Sequence, residues 1–368
     1  MPRGVAWVRV ARVRVAKDWP SATGPGGWGL APGRLRVNDC LWAKRSMPAK
    51  FWGILTNSFT ETIRQPIYGV LLLVTAGLLA LNVGISGYTL DDDNKLLKDL
   101  GLSTLLLCGL FLAAFSAAGI LSREIENKTV LTVISKPVGR PLFITAKFAG
   151  LVAALALAFY LTGIVFLLTM RHKVLERSSD EFDLPVIIFG ISALLISILL
   201  AAFCNYLYDM QFSSTAITLA VPAMTIALAL VALISPKWEI QRFGKDFIDG
   251  QLIGAAALVF GMVMILTAVA LAASTRFGQV VTLTLCMVVL LIGLVSDAFF
   301  GQHRQTHLLA RLGYWLSPNL AFLWVTDALT QENRITLQYV GTAFAYAMLI
   351  VMAWLLLGVA LFQKREVG

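Results

Sequence analysis

The chain of 368 residues is too apolar and too poor in charge to be a soluble globular domain. Hydrophobic residues make up 58% of it and charged residues 14%, whereas soluble domains are about half apolar and about a quarter charged. The formal net charge is +9, and residues 1–46 contribute +7 of it through nine Lys or Arg and two acidic residues. The basic character therefore belongs to one stretch and does not indicate nucleic-acid binding.

Residues 1–46 differ from the rest of the sequence. They combine alternating Val and Arg with a Gly- and Pro-rich stretch, and they contain no apolar run long enough for a signal peptide. We expect this tail to be disordered, or to be upstream sequence translated ahead of a start at Met47. The alternative is a basic arm on the membrane surface. Residues 47–368 form the predicted membrane domain.

Residues 49–65 predict an amphipathic helix that lies in the membrane interface. Its apolar positions recur every fourth residue, with Trp52 beside them, and are Phe51, Leu55, Phe59 and Ile63. Thr56, Glu61 and Arg64 take other faces, so the helix is too polar to span a bilayer and suited to its surface. Pro66 then favours the start of a new helix.

Eight apolar stretches of bilayer-spanning length follow, since about 20 helical residues cross a hydrocarbon core of about 30 Å. They are 67–86, 100–121, 147–170, 185–205, 214–234, 251–273, 279–297 and 338–362. Because backbone groups in lipid need internal hydrogen bonds, each span must be helical. We predict an all-α, polytopic transmembrane helix bundle of about eight spans, with both termini on one side and an outer segment at 298–336.

The segment 122–147, between the second and third spans, is rich in charge. Its first half can continue as helix, Pro137 disfavours helix at Lys136, and Gly139 permits a tight turn. Pro141 can then open the next helix. A polar helix with a sharp reversal is suited to docking onto another protein. The alternative is a solvated turn whose basic side chains reach to the membrane surface.

Charge gives one indication of orientation. If the first span starts inside, Lys and Arg from Met47 onward number ten inside and eleven outside, so the total favours neither side. The 122–147 loop nevertheless carries five basic residues, which agrees with the positive-inside tendency. We therefore expect both termini to be cytoplasmic.

This loop resembles the first cytoplasmic loop of ABC-2 type transporter permeases, where a Glu-rich helix is followed by Thr, Pro, Arg and Lys. The predicted coupling-loop residues are Glu124, Glu126, Thr129, Lys136, Pro137, Arg140 and Lys147. The helix at 49–65 resembles the elbow helix of that family, and 311–329 resembles its outer segment before the last span. Together these likenesses cover most of residues 47–368. The family core has six spans, so eight is a departure.

The resemblance implies a non-catalytic permease subunit of an ATP-binding-cassette exporter in the bacterial inner membrane. The expected partners are a separate ATPase subunit, which docks on the loop, a second permease copy and membrane lipids. The sequence contains no G-x-x-x-x-G-K-[ST] phosphate loop, so ATP would bind the partner and this chain would hold no cofactor. A secondary transporter or channel is the alternative. It is less favoured because the spans lack central charges, which ion-driven carriers use as relays.

Other polar groups do not predict a catalytic or metal site. His303 and His307 have helical i, i+4 spacing but no cysteine nearby, and the acidic run at 91–93 fails the calcium-loop pattern because Leu96 occupies its sixth position. The four cysteines form no C-x-x-C pair. Four acidic residues in the next outer loop indicate a solvated surface, namely Glu176, Asp180, Glu181 and Asp183.

Overall fold

The computed structural model describes residues 47–87, 93–126, 139–174, 182–242, 249–301, 318–331 and 334–363. Every regular element in these ranges is helical. The α-helices are α1 (Met47–Arg64), α2 (Pro66–Ser86), α3 (Asp93–Glu126), α4 (Arg140–His172), α5 (Leu184–Tyr208), α6 (Phe212–Leu233), α7 (Gly250–Ser274), α8 (Gln279–Ser296), α9 (Thr326–Thr330) and α10 (Leu337–Gln363). A π-helical turn, Asp297–Gly301, continues α8, and a 3₁₀ turn, Ala321–Leu323, precedes α9.

Eight helices in the described part of the chain are long and apolar enough to cross a membrane, namely α2 to α8 and α10. The predicted all-α bundle of about eight spans is therefore confirmed, and the chain is a multi-pass membrane protein. Pro66 and Pro141 each lie in the first turn of a helix, as predicted. The tail at 1–46, the acids at 91–92 and the histidine pair lie outside the described residues.

The helices on either side of the predicted coupling loop are longer than their apolar spans. The second span was predicted to end at 121 and the third to begin at 147, but α3 continues to Glu126 and α4 begins at Arg140. The 33 residues of α4 measure about 50 Å at 1.5 Å per residue, against about 30 Å of hydrocarbon. A large part of this excess extends α4 toward the loop.

The centre of the bundle is α7, which packs against α3, α4, α8 and α10. From Met262 to Ser274 every residue of α7 is buried, so this half of the helix is enclosed by its neighbours on all sides. The outer helices differ from α7 in exposure, because large apolar side chains such as Leu73, Leu199 and Leu356 are exposed on them. This distribution is the one expected of a bundle whose outer surface faces lipid.

A buried ion pair joins three helices at the end of the bundle opposite the coupling loop. Arg171, near the end of α4, donates from Nε to Oδ2 of Asp183 at 3.1 Å, and both side chains are buried. The same guanidinium donates to the carbonyls of Val231 and Ile234, which lack helical partners at the end of α6. Asp183 also caps α5 by accepting from the amide of Val186.

The prediction that Asp183 is a solvated loop residue is therefore wrong. Its loop neighbours Glu176, Asp180 and Glu181 lie outside the described residues. Sequence reasoning failed here because the partner, Arg171, belongs to the preceding span, where a charge near the helix end reads as a surface residue. The α4–α5 connection brings the two side chains together.

Replacing Asp183 with Asn should destabilise the protein, since Asn still caps a helix but removes the negative charge that compensates the buried Arg171 guanidinium. Loss of one partner of a buried ion pair costs about 3–5 kcal/mol, which should appear as a clear fall in the thermal unfolding midpoint in detergent. Asp249→Asn is the matched control, because Asp249 also caps a helix but is exposed. Equal midpoints for the two variants would contradict a structural role for the pair.

Candidate functional site

The predicted coupling loop emerges at one end of the bundle, which we call the loop end. The loop end comprises α1, the start of α2, the end of α3, the start of α4 and the end of α10. It also includes the connections at 209–211 and 275–278. Glu124 and Glu126 lie in the last turn and a half of α3. Thr129, Lys136 and Pro137 lie outside the described residues.

Two arginines at the loop end bind the C-terminus of α10. Arg140 donates from Nη1 to the carbonyl of Gln363 at 2.8 Å, and Arg276 donates from Nη2 to the carbonyl of Leu361 at 3.0 Å. These carbonyls belong to the last described turn of α10, where the negative end of the helix dipole favours a cationic partner. Arg140 thus fastens the start of α4 to the end of the chain's last helix.

Lys147 lies inside the packed loop end and not on its surface. Only 1% of Lys147 is exposed, and its Nζ lies 5.0 Å from the ring centroid of Phe143. The Phe143 ring stacks on Phe362 of α10, with 5.9 Å between centroids. Because α4 begins two turns before the position predicted from hydropathy, Lys147 falls on a buried helical face. A docking protein would therefore not contact Lys147 directly.

The helix predicted at 49–65 is observed as α1, and its buried positions are mostly polar. Lys50, Ser58 and Thr62 are buried, and Thr62 donates its hydroxyl to the carbonyl of Ser58. The predicted apolar residues are only half-buried at Phe51, Leu55 and Phe59, whereas Trp52 is 65% exposed, Ile63 is buried and Arg64 is exposed. In a membrane this arrangement leaves Trp52 and part of the apolar face for lipid and turns small polar groups toward the bundle.

α1 approaches α4 closely at Gly150. A β-carbon at Gly150 would lie 2.6 Å from the carbonyl oxygen of Leu55 and 2.8 Å from Cβ of Ser58, so any larger residue must displace backbone. Small residues allow this kind of contact between membrane helices. The Gly150 contact sets how near the interfacial helix lies to the helix that follows the coupling loop.

The corner between α1 and α2 is fastened by two further hydrogen bonds. The fully buried hydroxyl of Tyr68, in the first turn of α2, donates to the carbonyl of Ala154 on α4 at 2.7 Å. Ser213, at the start of α6, donates to the carbonyl of Ile63 at 3.2 Å. Neither residue was identified from sequence, although a tyrosine just after a helix start at interface depth is a recognisable signal.

In the part of the chain that the structure describes, no group of three His, Cys, Asp or Glu side chains could hold a metal ion.

Comparisons with protein families, with characterised proteins and with solved structures found no match to this chain. At the loop end the start of α4, which follows the predicted coupling loop, is tied to α1, α2 and α10.

Substitution of Gly150 by Ala should destabilise the bundle, because overpacking against the backbone of α1 costs about 1–3 kcal/mol. Gly163→Ala is the matched control on the same helix, since a β-carbon there meets nothing within 4 Å. That change should be neutral or should stabilise α4 by up to about 1 kcal/mol through helix propensity. Thermal unfolding in detergent checks both, and shifts of the same sign and size would contradict the close-contact account.

Proposed function

We propose that the chain is the membrane-spanning permease subunit of an ABC-2 type exporter in the bacterial inner membrane. The segment at 122–140 docks a separate ATPase subunit, α1 is the elbow helix, and a second permease copy completes the substrate pathway. Both termini are cytoplasmic. The chain performs no hydrolysis itself, and ATP binds to the partner.

One observation supports this proposal above the others, namely the way the loop end is tied to the bundle. Force applied to the predicted coupling loop reaches α4 directly, because α4 begins at Arg140, within that loop. From α4 it passes to α10 through Arg140 and Gln363, to α1 at Gly150, and to α2 through Tyr68. A segment linked in this way can transmit movement of a docked protein to several spans at once.

The distribution of charge supports an externally powered permease over an ion-driven carrier. The helices α2, α5, α6, α7, α8 and α10 contain no Asp, Glu, Lys or Arg. In α4, Lys147 and Arg171 lie toward the two ends. Ion-driven carriers generally hold ionisable groups at membrane depth as proton or ion relays, and the described spans offer none near their centres.

Reversing the charges of Glu124 and Glu126 together, by Glu124→Lys and Glu126→Lys, should uncouple the ATPase without preventing membrane insertion. Wild-type chain purified from its own host in mild detergent should carry an ATPase subunit that hydrolyses ATP. We expect the double variant to bind it at least about thirtyfold more weakly, since loss of an interfacial charge pair costs about 2–5 kcal/mol.

Glu239→Lys is the matched control for that experiment, because Glu239 is exposed in the α6–α7 connection at the opposite end of the bundle. It should recover as much ATPase subunit as the wild type. The proposal fails if the wild-type chain carries no ATPase subunit, or if the double variant recruits it and transports normally.

A further inference from the structure

A lateral groove of about 450 Å³ runs between α2, α4, α5 and α6. Its walls are almost entirely apolar and include Val70, Leu73, Leu194, Ile217 and Met224. Val70 and Leu73 are also exposed on the outer surface of the bundle, so the groove opens sideways, where lipid lies. Its volume is in the range of about 300–1,000 Å³ that is usual for small-molecule sites.

The groove has the depth of one membrane leaflet. Along α2 it extends from Pro66 to Ala76, which is about 15 Å at 1.5 Å per residue. Half of a hydrocarbon core of about 30 Å is the same length. Because Pro66 begins α2 at the loop end, the groove starts at the membrane surface there and ends near the middle of the bilayer.

The surface end of the groove is polar and cationic. Arg64, Gln211 and Ser213 lie there, and no acidic residue is among the described residues that line the groove. The exposed Arg64 has no carboxylate partner among the described ion pairs. Deeper in the groove, Thr162 and Ser197 donate their hydroxyls to carbonyls of their own helices.

Two helices begin at this mouth, and neither has a side-chain cap. Gln65 precedes α2 and Gln211 precedes α6, and neither side chain accepts a hydrogen bond from its helix. Arg64, Pro66 and Gln211 all line the groove, so the positive ends of two helix dipoles lie at the same mouth as the Arg64 side chain. Together these groups form a site with the chemistry to hold an anion such as a phosphodiester.

We propose that this groove binds an anionic phospholipid of the loop-end leaflet, with one acyl chain between α2, α5 and α6 and its phosphate against Arg64. The apolar depth of one leaflet and the cationic mouth match the two parts of such a molecule. The bound acyl chain fills the space between the α1–α2 corner and the α5–α6 hairpin. This site does not depend on the permease proposal and would exist in a carrier or channel of the same fold.

Native mass spectrometry of the full chain, titrated with dioleoylphosphatidylglycerol, tests the site. The wild type should retain one lipid molecule per chain, and should bind it about tenfold more tightly than dioleoylphosphatidylcholine. Arg64→Gln should remove that preference, and Ala220→Trp, which fills the groove, should abolish retention. Millimolar inorganic phosphate should not displace the lipid, because a free ion gains nothing from the apolar walls.

Two substitutions serve as matched controls, Arg242→Gln at an exposed arginine of the opposite end and Ala353→Trp at an exposed position of α10. Both should bind lipid as the wild type does.

Equal affinity for the two lipids in the wild type, or unchanged binding in Arg64→Gln and Ala220→Trp, would overturn the proposal. Loss of a dimer without loss of lipid in Ala220→Trp would show that a second copy occupies the groove. If Ala220→Trp fails to fold, the lipid preference of the exposed Arg64→Gln variant decides.

Discussion

Binding of arginine side chains to the carbonyls at helix ends is the interaction that positions α4, and α4 contacts α1, α2, α3, α5, α6, α7 and α10. At the loop end Arg140 binds the last carbonyl of α10, and at the other end Arg171 binds two carbonyls at the end of α6. The bonds to the α6 carbonyls are buried or partly buried, where the carbonyls cannot rely on water, whereas the Arg140 bond is exposed. Fixing them with the side chains of one helix sets the position of that helix at both ends.

The fold could be predicted from sequence because its determinants are local. The eight spans follow from apolar length alone, and the starts of α2 and α4 follow from Pro66 and Pro141, whose missing amides are harmless in a first helical turn. The position and extent of α1 were also correct within two residues. Each of these signals lies inside the element that it specifies.

The contacts of the loop end could not be predicted, since their partners lie far apart in the chain. Tyr68 binds a carbonyl 86 residues away and Arg140 one that is 223 residues away, and no periodicity encodes such pairs. Hydropathy gave only the apolar part of α4, because Arg140 and Lys147 lower it, whereas the helix itself begins at Arg140. The solvated reading of Asp183 was wrong for the same reason, as its compensating charge is on another helix.

The polar inward face of α1 has a physical cause that soluble proteins do not share. The bundle side of an interfacial helix can accept small polar groups whose hydrogen bonds are satisfied within the helix, whereas lipid favours the aromatic and aliphatic side. Close approach at Gly150 then requires small neighbours such as Ser58. The cationic groove mouth at Arg64 lies at the same corner, so α1 both packs on the helix that follows the predicted coupling loop and borders the groove.

The side of the membrane on which the loop end lies is the most direct test of the account. In a cysteine-free background, Lys136→Cys should resist a membrane-impermeant maleimide in intact spheroplasts and react after the membrane is opened. Lys237→Cys, exposed in the α6–α7 connection, should react in intact spheroplasts. Labelling of Lys136→Cys from outside would place the coupling segment away from any cytoplasmic ATPase and would contradict the permease assignment.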